Sequence, residues 1–146
     1  MLIGGEKGEI YKMLTEFLAS KNNRFCRWLN KVFRHCEIHP GCKIPKSIRF
    51  GHGGHGIVIG NCEIGEDVII MHNTTLCNDF TSKDEKKKGF PKIGNKVIIG
   101  TGSILIGDIK IGNNSIIGAG SFIDKNVPKD SIAFCKRNLV IKKRKS

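Results

Sequence analysis

The chain has 146 residues, with 25 Lys and Arg against 13 Asp and Glu, a formal charge of +12. That length fits one domain, and the charge favours anionic partners; no nucleic-acid motif or interleaved aromatic platform accompanies it, so a phosphorylated cofactor or an acidic polysaccharide is expected rather than nucleic acid. Six cysteines show neither metal-ligand spacing nor a disulfide-rich pattern, so no metal is expected, and reduced thiols without a signal-peptide pattern or a membrane-spanning run predict a cytoplasmic protein.

Residues 1–36 carry two apolar runs at helical spacing, Ile10, Met13, Leu14, Phe17 and Leu18, then Phe25, Trp28, Leu29, Val32 and Phe33, separated by Asn22 and Asn23. They predict two short amphipathic helices that pack on the next element as an N-terminal cap. Arg24, Arg27, Lys31 and Arg34 flank the second run, which also fits peripheral contact with the inner membrane; capping is the preferred reading.

From residue 37 to 141 the chain counts in sixes. Ile93, Ile99, Leu105, Ile111, Ile117 and Ile123 follow one another without a slip, preceded by Ile38, Ile44, Phe50 and then Val58, Ile64, Ile70, Leu76. Four positions after most of these sits a small or β-branched residue, such as Cys42, Cys62, Val68, Thr74, Ser103 or Ser121, and a glycine often follows directly. No helix or half-buried strand has this period. It predicts a parallel β-helix of hexapeptide repeats, each unit one short strand and one corner, stacked because no single coil can bury its own inner face. Glycine after the aliphatic residue is expected to serve the corner.

Two breaks interrupt the count. Gly51-His52-Gly53-Gly54-His55-Gly56 adds two residues between Phe50 and Val58, and the segment 77–92 leaves the coil before Ile93 resumes it. An interruption carrying histidines and a charged loop is where function is expected. Cys77, at the mouth of the loop, is the one thiol worth watching. A basic tail, residues 142–146, closes the chain.

The stretches Glu37-Ile38-His39-Pro40, Gly51-His52, Gly56-Ile57-Val58-Ile59-Gly60, Pro91-Lys92-Ile93-Gly94 and Ile117-Gly118-Ala119-Gly120-Ser121 together resemble the serine acetyltransferase branch of the hexapeptide acyltransferases, over about residues 37 to 141. The resemblance implies a left-handed parallel β-helix, an exception to the usual crossover hand, and a homotrimer with active sites between subunits. It implies a general base at His52 oriented by an acid at Glu37, with His55 as the alternative base. Glu37 lies about one coil before this loop, so stacking can bring its carboxylate beneath an imidazole, fixing the tautomer while Nε2 takes a hydroxyl proton. A backbone N–H near Cys77 or Asn78 would receive the oxyanion. Acetyl-CoA is the implied co-substrate, running past Asn78, Gly102, Ser103, Gly120 and Ser121 toward Lys136 and Arg137.

The departures bear on the acceptor. The family's aspartate before the catalytic histidine is Gly51, and its Asp-Arg-His before Pro-Lys-Ile is Lys88-Gly89-Phe90, which removes the carboxylate clamp. The family's large N-terminal helical domain has no counterpart in these residues. His39, Asn73, Asp79 and Phe90 suit a sugar through hydrogen bonds and ring contact. The expectation is therefore O-acetylation of a capsular or lipopolysaccharide glycan or an activated sugar, with serine O-acetylation as the alternative. A zinc enzyme built on His52, His55 and His72 and a non-catalytic scaffold are the rivals.

Overall fold

The computed structural model describes residues 16, 17, 19, 21, 23–80, 83 and 89–136. Most of the first apolar run, Arg137 and the tail 142–146 lie outside these. Helix α1, Arg24–Arg34, begins at Asn23, whose side chain accepts from Cys26 N, and ends at His35 in the left-handed region.

Among the described residues thirteen short strands, β1 to β13 in chain order, follow in three parallel sheets. The first stacks β1 (Glu37–Ile38), β3 (Val58–Ile59), β6 (Thr75–Cys77), β9 (Ile104–Ile106) and β12 (Phe122–Ile123). The second holds β4 (Glu63–Ile64), β7 (Lys92–Ile93) and β10 (Lys110–Ile111). The third holds β2 (Arg49–Phe50), β5 (Ile69–Ile70), β8 (Ile98–Ile99), β11 (Ile116–Ile117) and β13 (Ile132–Ala133). Where the repeat is regular, each coil takes three hexapeptides, as when Lys92 pairs with Lys110, Ile98 with Ile116 and Ile104 with Phe122. The strands therefore wind as a three-faced parallel β-helix.

The count of six is the distance between inward slots. Ile93, Ile99, Leu105, Ile111, Ile117 and Ile123 are all buried, and so are the small residues four places on, from Cys42 to Val127. The buried hydroxyls are satisfied by carbonyls: Thr74 donates to Met71 O at 2.7 Å, Ser103 to Gly118 O at 3.0 Å and Ser115 to Pro128 O at 2.8 Å.

Three expectations need correction. Val58 does not point inward; it is 41% exposed, whereas Ile57 and Ile59 on either side are buried. The chain takes nine residues from Phe50 to Ile59 and five from Ile59 to Ile64 before the count recovers. The glycines that follow the aliphatic residue are not the positive-φ corners. Left-handed backbone falls on Asp67, Lys96, Asn114 and Asp130 instead, while a Cβ on Gly100 would stand 2.6 Å from Ala119 N. Those glycines admit the next coil. Finally, α1 is turned opposite to its apolar pattern: it buries Cys26, Asn30 and Arg34 and leaves Phe25, Trp28, Val32 and Phe33 exposed. The Arg34 guanidinium is the reason. It reaches under the histidine loop and donates to Gly53 O at 3.0 Å.

The outer faces differ in chemistry. The second sheet presents Glu63, Lys92 and Lys110, with Lys92 paired to Glu63 at 3.3 Å. The first and third present Val58, Ile104 and Phe122, and Ile98, Ile116 and Ile132. These two apolar faces meet along the corner that holds the interruption 51–56.

Candidate functional site

The loop Gly51–Gly54 links the third sheet to the first. His52 adopts φ 49° and ψ 35°, followed by Gly53 and Gly54 at φ 71° and 75°, a left-handed run that only glycine enters freely. A Cβ at Gly53 would also collide with Arg34 Nη1. Gly56 N–H donates to Arg34 O at 3.2 Å, so α1 clasps the loop at two points. The loop presents His52 and His55 outward, both exposed.

Lower coils bring further residues to this corner. Asn73 donates its N–H to His55 O at 2.9 Å, Gly102 to His72 O at 3.1 Å and Gly120 to Thr101 O at 2.7 Å. The rings of His52 and His72 meet edge to face with centroids 4.9 Å apart. Gly102 and Gly120 take φ 67° and 61°, and the space a Cβ would occupy on Gly102 is open. Ser103 and Ser121 turn into the prism, so only their backbone can face a ligand.

Beside the corner a groove of about 880 Å³ runs over the first sheet, walled by α1. Glu37, His39, Asn78 and Phe90 line it together with Arg27, Trp28 and Lys31. Its sheet floor includes Glu37 and Val58, a register pair at the point where the histidine loop enters β3. His39 Nδ1 accepts from Gly41 N–H at 3.0 Å, and Phe90 lies against Gly60. Asn73 belongs to the corner and Asp79 is half-buried near Cys77. Lys136 is exposed beyond the last coil.

Glu37 and His52 are not joined. The Glu37 carboxylate pairs with Lys31 Nζ at 3.3 Å, both side chains well exposed, and it makes no hydrogen bond to His52 among the described residues. The roles of Arg34, His72, Thr101 and the two cations of α1 escaped the sequence reading. The signal for His72 was present: it follows His52 by one coil at the same corner.

Four of the thiols have raised pKa values. Burial pushes Cys36 up to about 12 against the partial relief of Arg34, and Cys42 up to about 11 against a backbone hydrogen bond to Cys62. Cys62 is also raised, by burial first and then by Cys42 and Cys77. Cys77 is raised by burial and then by Asp79, which argues against a nucleophile there. A thiol whose pKa is higher folded than unfolded stabilises the fold below the unfolded value, and that contribution is lost as pH rises from near 9 through the folded values. Native protein at pH 8 is expected to give a fast colorimetric thiol reaction at exposed Cys135 and a slower one at Cys77. The buried thiols should react only with unfolding, and melting temperature should fall above pH 9. Rapid labelling of Cys36 or Cys62 in folded protein would contradict this.

Among the described residues no group of three His, Cys, Asp or Glu is placed to hold a metal ion, and no helix is long and apolar enough to cross a membrane.

Residues 90–125 match the family described as bacterial transferase hexapeptide (six repeats). The repeats, the coil and this match make the chain a hexapeptide-repeat transferase, and its fold the left-handed parallel β-helix. Within that family its similarity is to serine acetyltransferases. It is 37% identical over 101 residues to the serine acetyltransferase of Helicobacter pylori, covering 68% of this chain and 54% of that one. Solved neighbours include the Neisseria gonorrhoeae serine acetyltransferase in complex with serine, with TM-score 0.64, 29% identity and coverage of 86% of this chain and 50% of that one. The Brucella abortus serine acetyltransferase in complex with coenzyme A has TM-score 0.64, 28% identity and coverage of 88% and 53%. The chain thus spans about half the length of these proteins. The expectation of a glycan acceptor, and with it polysaccharide biosynthesis, is corrected here: these relatives and neighbours are named for serine. The groove that lacks the family's loop clamp is lined by two cations of α1, Arg27 and Lys31.

Proposed function

We propose that the chain transfers the acetyl group of acetyl-CoA to the hydroxyl of L-serine. The observation that carries this reading is the charge arrangement of the groove, where Arg27 and Lys31 of α1 line the wall and Lys31 pairs with Glu37. A zwitterion needs a cation for its carboxylate and an anion for its ammonium. The helix supplies cations in place of the family's loop arginine, where Gly89 stands. An exposed pair such as Lys31–Glu37 is worth at most about 1 kcal/mol, so a substrate carboxylate can draw Lys31 away and release Glu37.

His52 then takes the serine hydroxyl proton at Nε2, with Glu37 orienting the ring and His55 as the alternative base. The serine oxygen bonds to the thioester carbonyl carbon, backbone N–H near Cys77 or Asn78 receives the oxyanion, and the C–S bond breaks as the imidazolium returns its proton to sulfur. The open edge at Gly102 and Gly120 accepts a long thin co-substrate, and Lys136 and Arg137 offer cations to its phosphates. The apolar first and third faces flank this edge, and a homotrimer would cover them. We place the enzyme in the cytoplasm, where acetyl-CoA and reduced thiols coexist.

Release of CoA thiol should depend saturably on L-serine and not on sugars. Arg27→Ala and Lys31→Ala should each raise the KM for serine about tenfold, the size of a charged hydrogen bond, without changing the KM for acetyl-CoA. Serine methyl ester, which lacks the carboxylate, should be insensitive to both. No serine-dependent release above thioester hydrolysis would overturn the proposal.

A further inference from the structure

The corner that carries His52 carries a second imidazole one coil below. The two rings meet with planes at 87°, and this is the only polar or ring interaction that the His52 side chain makes among the described residues. His72 Nδ1 in turn lies 3.5 Å from Thr101 Oγ1. Gly102 N–H donates to His72 O and Gly120 N–H to Thr101 O, so the backbone ladder fixes His72 and Thr101 on successive coils beneath the loop. His72 is half-buried, whereas His52 is exposed.

A general base must hold one orientation, because small misplacement of a reacting group costs rate steeply. The Glu37 carboxylate pairs with Lys31 here, so it does not hold His52 until substrate draws Lys31 away. An exposed imidazole on a glycine-flanked left-handed residue otherwise turns freely about χ1 and χ2. Edge-to-face contact constrains the angle between two rings, and the Thr101 hydroxyl constrains the lower one. Resting on the assignment of His52 as base, we infer that His72, anchored by Thr101, is a second positioning residue, which sets the His52 imidazole from the coil below.

With acetyl-CoA and L-serine, His72→Ala should lower kcat about 10- to 100-fold and leave both KM values near those of the parent. Thr101→Val, which preserves shape, should give a smaller loss in the same direction. Adding Thr101→Val to His72→Ala should cost nothing further, because Thr101 acts through His72. In 15N-labelled protein, the ring nitrogens of His52 should report one dominant tautomer in the parent and an averaged mixture in His72→Ala. An unchanged His52 ring signal in folded His72→Ala overturns the inference whatever the substrate. Unchanged kcat, or additive losses in the double variant, also overturns it. If instead His52→Ala retains turnover while its ring signal in the parent responds to His72→Ala, the base assignment fails and the ring contact stands.

Discussion

His52→Ala is expected to reduce serine-dependent acetyl transfer by about two to four orders of magnitude, the usual contribution of a positioned general base, while His55→Ala keeps most activity. The two histidines share one loop, yet their surroundings differ. His52 has an imidazole beneath it, whereas His55 offers its carbonyl to Asn73 and its ring to solvent. Both side chains are exposed, so neither alanine leaves a cavity, and lost turnover would not come from unfolding. Steady-state release of CoA thiol at saturating acetyl-CoA reads the difference. Silence in His55→Ala with activity in His52→Ala would move the base by three residues.

Ile59→Ala is expected to destabilise the fold by about 2–5 kcal/mol, the range for truncating a buried aliphatic side chain. Val58→Ala, one residue away, should cost within about 1 kcal/mol in the isolated chain. Ile59 is enclosed while Val58 is outward on the groove floor. Urea denaturation of the two variants decides the register, since a larger loss for Val58→Ala would restore the count of six from Val58 through Ile64 to Ile70. The paired comparison also controls for β-propensity, which both substitutions lower alike.

The regular coils were legible because every inward slot there accepts one kind of side chain. From Ile93 to Ile123 an aliphatic residue and a small one alternate between fixed positions, and the unbroken spacing picks out the inward residue even where its neighbours are aliphatic, as at Ile104-Leu105-Ile106. At Ile57-Val58-Ile59 three aliphatic residues stand in a row just after the interruption 51–56 has broken the count, so neither composition nor spacing could say which one turns inward. The face of α1 was misread for a related reason. Periodicity locates the apolar stripe, but burial followed the long reach of Arg34, whose partner is a carbonyl in a loop nineteen residues on. The histidine loop itself was legible as an interruption, and its role as a corner follows from the strands on either side. The placement of Arg27 and Lys31 was not, because they lie on a different element from the histidines and only the packing of α1 beside β1 brings them to the groove.

The coil on either side of the segment 77–92 keeps its register: Glu63 pairs with Lys92, Ile69 with Ile98 and Thr75 with Ile104, as though the extra residues were absent. Closing a longer excursion between the same two anchor points costs only a logarithmic entropy, about 0.6 kcal/mol for each doubling of length. The scaffold is therefore nearly indifferent to what is inserted there. Lineages of this fold can lengthen, shorten or rewrite that excursion, and with it the wall of the groove beside Phe90, while the stacked ladder underneath stays under separate selection.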